Sequence, residues 1–348
     1  MLFCTLFNAQ YLPQGIALYH SLERVSGEDF ILYVLCMDDY TYEVLAELKY
    51  PSLKLIALRE IEDDRLRAVR DMRTVGEYCW TCTSPLLLYL LQQHPADTVL
   101  TYVDADLQFL SDPTLVLEEL GANSMLIHEH DFAPEYAHLA SISGRFNVGL
   151  VSFRNNDESR RCLRLWQDQC LNECVMDPQA GKCGDQNYLD EWPSLYPGLV
   201  ISSNPGVGLA PWNISKHKLR ETWSGITVDN KPVVFYHFHQ TRPLRPRAGV
   251  KPIVMAQGQY RITQDVARLI YRPYASALYQ AARETNPTEQ IEALGHRLTL
   301  EMPTLPDIYR RVTNQQLLFS VGEFSLPLKY NPQAIRTLYG IDPHRDEM

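Results

Sequence analysis

The chain has 348 residues, 45% of them hydrophobic and 21% charged, with a formal net charge of −10. A chain of this length can bury a large core, so one substantial domain plus an appendage is expected. The acidic balance argues against broad affinity for nucleic acid or an anionic membrane, because that attraction needs a basic face. A local peripheral membrane contact stays compatible with it. No transmembrane run or cleavable leader is visible: Leu2 to Phe7 is too short for a leader core and runs into polar Asn8-Ala9-Gln10. Cytoplasm is therefore the default location. The eight cysteines read as reduced core residues. Cys79-Trp80-Thr81-Cys82 has redox-pair spacing, and Cys170, Cys174 and Cys183 lie fairly close together, but no thioredoxin-like context or second matched pair accompanies them.

Apolar patterning predicts strands alternating with helices. Leu2 to Phe7 reads as a strand, Gln14 to Val25 as an amphipathic helix, and Phe30 to Met37 as an apolar strand running into Asp38-Asp39. Thr41 to Leu48 reads as a helix and Lys54 to Leu58 as a short strand. A helix is predicted to start at Ser84-Pro85, Ser as cap and Pro at the first position, and to run through Leu91. Further strands follow at Thr98 to Val103, Ser124 to Ile127, Val148 to Phe153, Leu199 to Ser202 and Val233 to His237. Apolar runs without strict alternation imply strands covered on both faces, hence an α/β fold with a mostly parallel sheet between helix layers. Ligands then sit beyond the carboxyl ends of the strands. From about Gly249 the character changes. Asp265 to Thr285 reads as one long amphipathic helix stopped by Asn286-Pro287, and proline-punctuated segments follow to Met348. The expected division is a nucleotide-binding domain over residues 1–248 and a helical C-terminal extension over 249–348.

The most informative short feature is Val103-Asp104-Ala105-Asp106-Leu107. A strand that delivers two carboxylates, one small residue apart, to its C-terminal edge makes an oxygen-rich site for a hard divalent cation, and such a cation usually arrives with a phosphate. A nucleotide-sugar site is the reading. Other segments join it in order: Asn8 and Tyr11 after the first strand, Phe146-Asn147-Val148-Gly149-Leu150, Gly184-Asp185-Gln186, Leu209-Ala210-Pro211-Trp212-Asn213, and Phe235-Tyr236-His237-Phe238-His239.

In that order and spacing, roughly residues 1 to 245 resemble the GT-A glycosyltransferases, most closely the retaining, glycogenin-like and galactosyltransferase-like members of glycosyltransferase family 8. The resemblance implies a Rossmann-like GT-A fold and a metal-dependent transfer from a nucleotide diphosphate sugar, a UDP-sugar first, to a glycan or glycolipid acceptor. It implies that Asp104, Asp106 and His237 hold Mn²⁺ or Mg²⁺. Asp185 and Gln186 fall near the anomeric centre as the catalytic pair. Thr5, Asn8 and Tyr11 fall at the nucleoside end, with the Tyr11 ring as a stacking surface. Asn147 and Gly149 fall near the donor sugar, Trp212 and Asn213 in the late loop, and His239 beside the metal. Two departures stand out. The segment Glu77 to Leu91 carries no arginine or lysine where family members commonly place a donor-binding arginine. After His237 the family's His-Phe-x-Gly loses its glycine to Gln240, and Arg242 arrives one position earlier than the family's lysine, where a guanidinium suits a diphosphate.

Two carboxylates and one imidazole suit Mn²⁺ better than Ca²⁺. His128-Glu129-His130, at a strand end, is a candidate contributor on the acceptor side, as are Tyr260, Arg261, Tyr271, Arg272 and Tyr274 in the extension. Three other classes compete. A HAD-like phosphatase also carries D-x-D after a strand, but there the motif opens the domain. A sugar nucleotidyltransferase needs a glycine-rich basic loop, which Phe7-Asn8-Ala9-Gln10-Tyr11 lacks. A non-catalytic sugar-binding module would bind without turnover.

Overall fold

A computed structural model of the chain describes residues 1–244, 253–256, 260–285 and 317–320. Its centre is a seven-stranded sheet. In chain order the strands are β1 (Leu2–Phe7), β2 (Ile31–Cys36), β3 (Leu53–Ala57), β4 (Val99–Val103), β6 (Met125–Glu129), β7 (Phe146–Arg154) and strand Leu199–Ile201; β5 (Leu107–Phe109) lies outside it. Across the sheet the order is Leu199–Ile201, β6, β7, β4, β1, β2, β3. All pairings are parallel except those of β7, which runs antiparallel to both β4 and β6. The mostly parallel sheet expected from the apolar runs is thus present.

β1 shows why it reads as a continuous apolar run. Phe3 and Phe7 enter one core cluster with helix α1 (Leu12–Ser26), while Cys4 and Leu6 enter the cluster on the opposite face. Both faces are dry, so neither register position can be polar unless it is small. The helix over the second face is Val75–Gln93. Its cap, Thr74, lies ten residues before the predicted cap Ser84, in a capping box in which Thr74 Oγ1 accepts from Glu77 N at 3.3 Å and Glu77 Oε2 accepts from Thr74 N at 2.8 Å. Pro85 lies inside this helix, not at its start. An interior proline costs about 3 kcal/mol, but Tyr78, Cys82, Leu86, Leu87, Leu90 and Leu91 are buried along the helix and offset it. Helix Asp157–Asn172, where no element is predicted, packs on it, capped by Asn156, whose Oδ1 accepts from Ser159 N at 2.9 Å.

β5 turns back immediately after Asp106 and pairs antiparallel with strand Phe235–His237, His237 opposite Leu107. That pairing, between segments 130 residues apart in sequence, brings the late histidine to the D-x-D. Past it, Arg242–Leu244 pairs with Ile253–Ala256 across the expected boundary at 248, and Ile253–Ala256 pairs with Leu317–Ser320. The predicted late helix spans Gln264–Glu284, with a π-helical stretch at Ala267–Tyr271, and packs against α1. Among the described residues, no helix is long and apolar enough to cross a membrane.

Candidate metal and donor site

Asp104 and Asp106 leave the carboxyl end of β4 with Ala105 between them, and both project into a cleft of about 670 Å³. His237 closes the group: its Nε2 lies 3.2 Å from Asp106 Oδ1 and 3.8 Å from Asp104 Oδ2. One ligand atom from each residue falls within 4.8 Å of the other two. Behind the histidine, Nδ1 donates to Asn147 Oδ1 at 3.2 Å, and the same oxygen accepts from Gly149 N at 2.9 Å. This second acceptance fixes which end of the Asn147 amide faces the ring. Nδ1 therefore carries a hydrogen and Nε2 faces the carboxylates, hydrogen-bonding Asp106 while the ring is charged and able to offer its lone pair to a metal once that proton is lost, the orientation a metal-ligating imidazole needs. Asp104 Oδ1 accepts from Tyr102 OH at 2.9 Å. Two carboxylates and a tautomer-fixed imidazole form a donor set that fits Mn²⁺ or Mg²⁺.

The electrostatics are uneven. Burial raises the Asp104 carboxyl and Asp106 raises it further, against the pull of His237. Burial also opposes ionisation of Asp106, but His237 and its hydrogen bond outweigh it and hold that carboxyl below its usual range. Burial works against the His237 cation, yet the two carboxylates lift its pKa above the ordinary value.

Gly149 is a steric requirement. A Cβ there would stand 2.5 Å from Asn147 Oδ1 and 2.8 Å from His237 Nδ1, closer than heavy atoms approach without repulsion. Asn147 itself is buried, and its Nδ2 donates to Gln186 Oε1 at 3.3 Å and to His130 Nε2 at 3.2 Å. It thus ties the histidine of the metal group to the Asp185-Gln186 segment.

Asp185 and Gln186 both line the cleft. Asp185 precedes a 3-10 turn but gives it no side-chain cap; it is buried, and its Oδ2 has no hydrogen-bond partner among the described residues. Burial, reinforced by Cys174 and Asp104, pushes its carboxyl well above the usual range. Gln186 Nε2 donates to Cys183 Sγ at 3.1 Å, and burial pushes that thiol up to about 11.

The remaining predicted residues fall in two groups. Asn8, Tyr11, Trp212 and His239 line the same cleft. Asn8 Oδ1 also accepts from Gln10 N at 3.1 Å, which shapes the turn after β1. Trp212 is buried edge-on to His237 and His239, with ring centroids at 5.3 and 5.6 Å, and its Nε1 donates to His130 O at 2.9 Å. Burial and the His237 charge lower His239 to about 4. Thr5 and Asn213 lie behind the cleft. Thr5 is wholly buried in β1, and Asn213 uses its amide on the backbone, donating to His130 O and Gly208 O and accepting from Ala210 N, each at 2.9 Å. Arg242 begins a strand, but its side chain lies outside the described residues.

Several lining residues carry no motif. Trp80, Phe132, Ile142 and Met176 reach the cleft from four different segments. His130, at a strand end, and Tyr260, in the extension, are the lining residues beyond the motifs that the sequence singles out; the His130 ring stacks on Phe132 at 4.7 Å, and burial lowers it to about 3. No lysine or arginine lines the cleft among the described residues. The helix that would carry the family's arginine presents Val75, Gly76, Cys79 and Trp80 instead. Gln240, where the family glycine is lost, sits at φ 55° and lines the cleft. A left-handed residue other than glycine costs about 1–2 kcal/mol, so this turn holds Gln240 at a cost in strain. All eight cysteines are free thiols, as expected.

No protein-family model matches the chain. It is 35% identical over 245 residues to the uncharacterized protein YfnF of Bacillus subtilis (strain 168), covering 68% of this chain and 80% of that one. It is 30% identical over 238 residues to the uncharacterized protein YfnD of the same strain, covering 68% and 76%. The chain belongs to the family of YfnF and YfnD. In three dimensions it is similar to the galactosyltransferase LgtC, solved in complex with donor and acceptor sugar analogues, with a TM-score of 0.50 and 13% identity over 84% of this chain and 99% of that one. This YfnF-like chain therefore has the GT-A glycosyltransferase fold that its motif order implies, as a divergent member.

Proposed function

We propose that the protein is a glycosyltransferase that moves a sugar from a nucleotide diphosphate sugar, a UDP-sugar first, to a glycan or glycolipid hydroxyl, with retention at the anomeric carbon. The observation that carries this reading is the joining of Asp104, Asp106 and His237 with Asp185 and Gln186 in one cleft at the carboxyl end of a GT-A sheet. Asp104, Asp106 and His237 would hold Mn²⁺ or Mg²⁺, which when bound neutralises charge on the departing diphosphate as a Lewis acid. Asn8 and Tyr11 then face the nucleoside. Asp185 and Gln186 face the sugar, where a polar group beside the anomeric carbon steadies positive charge or attacks it. In this reading residues 1–248 bind the donor and 249–348 form an appended unit. Thr5, Gly149 and Asn213 serve the site by holding its backbone in place.

The test is hydrolysis of a panel of UDP-, GDP- and dTDP-sugars with Mn²⁺, Mg²⁺ or Co²⁺. UDP-sugars are expected to turn over slowly and to lose turnover with chelator. Asp106→Asn is expected to weaken Mn²⁺-dependent UDP binding, and Asp185→Asn to leave UDP binding nearly intact while turnover falls about 100-fold. If no nucleotide sugar binds or is hydrolysed, the transferase reading fails. Binding without turnover would leave a nucleotide-sugar-binding module instead.

A further inference from the structure

Beyond Gln186 the cleft continues between the first turn of helix Val75–Gln93, the turn at Ala140–Ser143 and the segment after Cys174. Its walls there include Val75, Trp80, Leu139, Ile142, Met176 and Pro178, beside Cys79, Ser143 and Cys183, and no charged side chain lines this end. The charged groups nearby are committed elsewhere. Glu77 accepts from Met176 N at 2.8 Å and from Thr74, Asp177 accepts from Gln179 N and Ala180 N, and Lys182 pairs with Glu173 at 2.6 Å. Arg73 donates to the carbonyls of Cys170, Leu171 and Cys174. This end of the cleft therefore offers an incoming molecule apolar surface with no charged partner.

The mouth repeats the pattern. Six large hydrophobic side chains are exposed among the described residues, and two of them, Val75 and Met176, at 64% and 44% exposure, line the cleft. The hydrogen bond between Met176 N and Glu77 ties the two rim segments together, so the apolar mouth runs on into the apolar wall. Exposed apolar surface that is continuous with a functional cleft marks a binding surface.

We propose that the acceptor is an amphiphile: an uncharged head bearing the reacting hydroxyl, carried on an alkyl body that lies along Val75 and Met176. This rests on the glycosyltransferase reading above. In the transfer the bond from the anomeric carbon to the phosphate oxygen breaks and a bond from that carbon to the acceptor oxygen forms. The hydroxyl proton leaves with the nucleoside diphosphate. A polar or anionic oligosaccharide would find no charged partner on this wall and would cover Val75 and Met176 without desolvating them usefully.

The test compares methyl glucoside, octyl glucoside and methyl glucuronide, all below micelle-forming concentration. Each is measured as a ligand of the full chain with UDP and Mn²⁺ by calorimetry, and as an acceptor of labelled sugar. A fully buried methylene is worth about fourfold in affinity, so two well-covered methylenes suffice for octyl glucoside to bind at least about tenfold more tightly than methyl glucoside. Val75→Asp and Met176→Lys should bring that ratio close to one. The ratio is insensitive to a general loss of activity, and thermal melting of each variant checks its folding. Equal binding of the methyl and octyl glycosides, tighter binding of the glucuronide, or a ratio unmoved by both variants would overturn the proposal. Failure of donor hydrolysis with every nucleotide sugar would instead sink the transferase reading, with the binding ratio still readable.

Discussion

Replacing Gly149 by alanine isolates the geometry of the metal group in a single methyl. Its Cβ would stand 2.5 Å from Asn147 Oδ1, so that oxygen must retreat by about 0.9 Å to reach the 3.4 Å of an ordinary contact, and His237 Nδ1, at 2.8 Å, must give way as well. Neither has free room, since Asn147 and His237 are buried and hydrogen-bonded to each other. Overpacking of this kind costs about 1–3 kcal/mol of stability. The orienting bond to Nδ1 is lost with it, and the loss of such a partner costs about 10–100-fold in metal affinity. A misplacement of about 1 Å costs about 100-fold in rate. The assay is Mn²⁺ titration by electron paramagnetic resonance on wild type and Gly149→Ala, alongside urea unfolding without metal. Weaker Mn²⁺ binding together with a lower unfolding midpoint is expected. Unchanged Mn²⁺ affinity in a normally folded variant would refute the claim that Gly149 makes room for the His237–Asn147 pair, and would return the residue to a direct role at the sugar.

Two further outcomes follow from buried polar groups. Asn213→Ala strips partners from His130 O, Gly208 O and Ala210 N, and should lower stability by about 1–3 kcal/mol in urea unfolding, with nucleotide affinity falling only through the displaced Trp212. Burial lowers His128 to about 4 and His130 to about 3, so between the unfolded value near 6.5 and those values the unfolded chain binds more protons than the folded one. Stability should be flat in this respect above about pH 7 and fall as pH drops below about 6.5, by about 1.4 kcal/mol per pH unit for each histidine. Urea midpoints at pH 7, 6 and 5 check this, and a slope unchanged in His128→Gln would remove that histidine from the account.

The sheet, most of its strands and the order of the site motifs are legible in the residues, because parallel strands buried on both faces leave unbroken apolar runs and because D-x-D, Asn-x-Gly and Asp-Gln are local patterns. The helix over Val75–Gln93 was misplaced on local evidence: Ser84-Pro85 looks like a start, while the capping box at Thr74 and Glu77 and the buried stripe that carries the helix past Pro85 count only once the packing is known. What the sequence alone determined is the inventory of chemistry, two carboxylates and a late histidine on a nucleotide-binding frame. What tertiary structure decided is which of these meet. The pairing of Leu107–Phe109 with Phe235–His237 brings His237 to Asp106, Asn147 turns the imidazole, and three separate segments supply the apolar wall of Trp80, Ile142, Met176 and Pro178. Such a wall leaves no mark in sequence, because its residues are far apart along the chain and each is, taken singly, an ordinary hydrophobe.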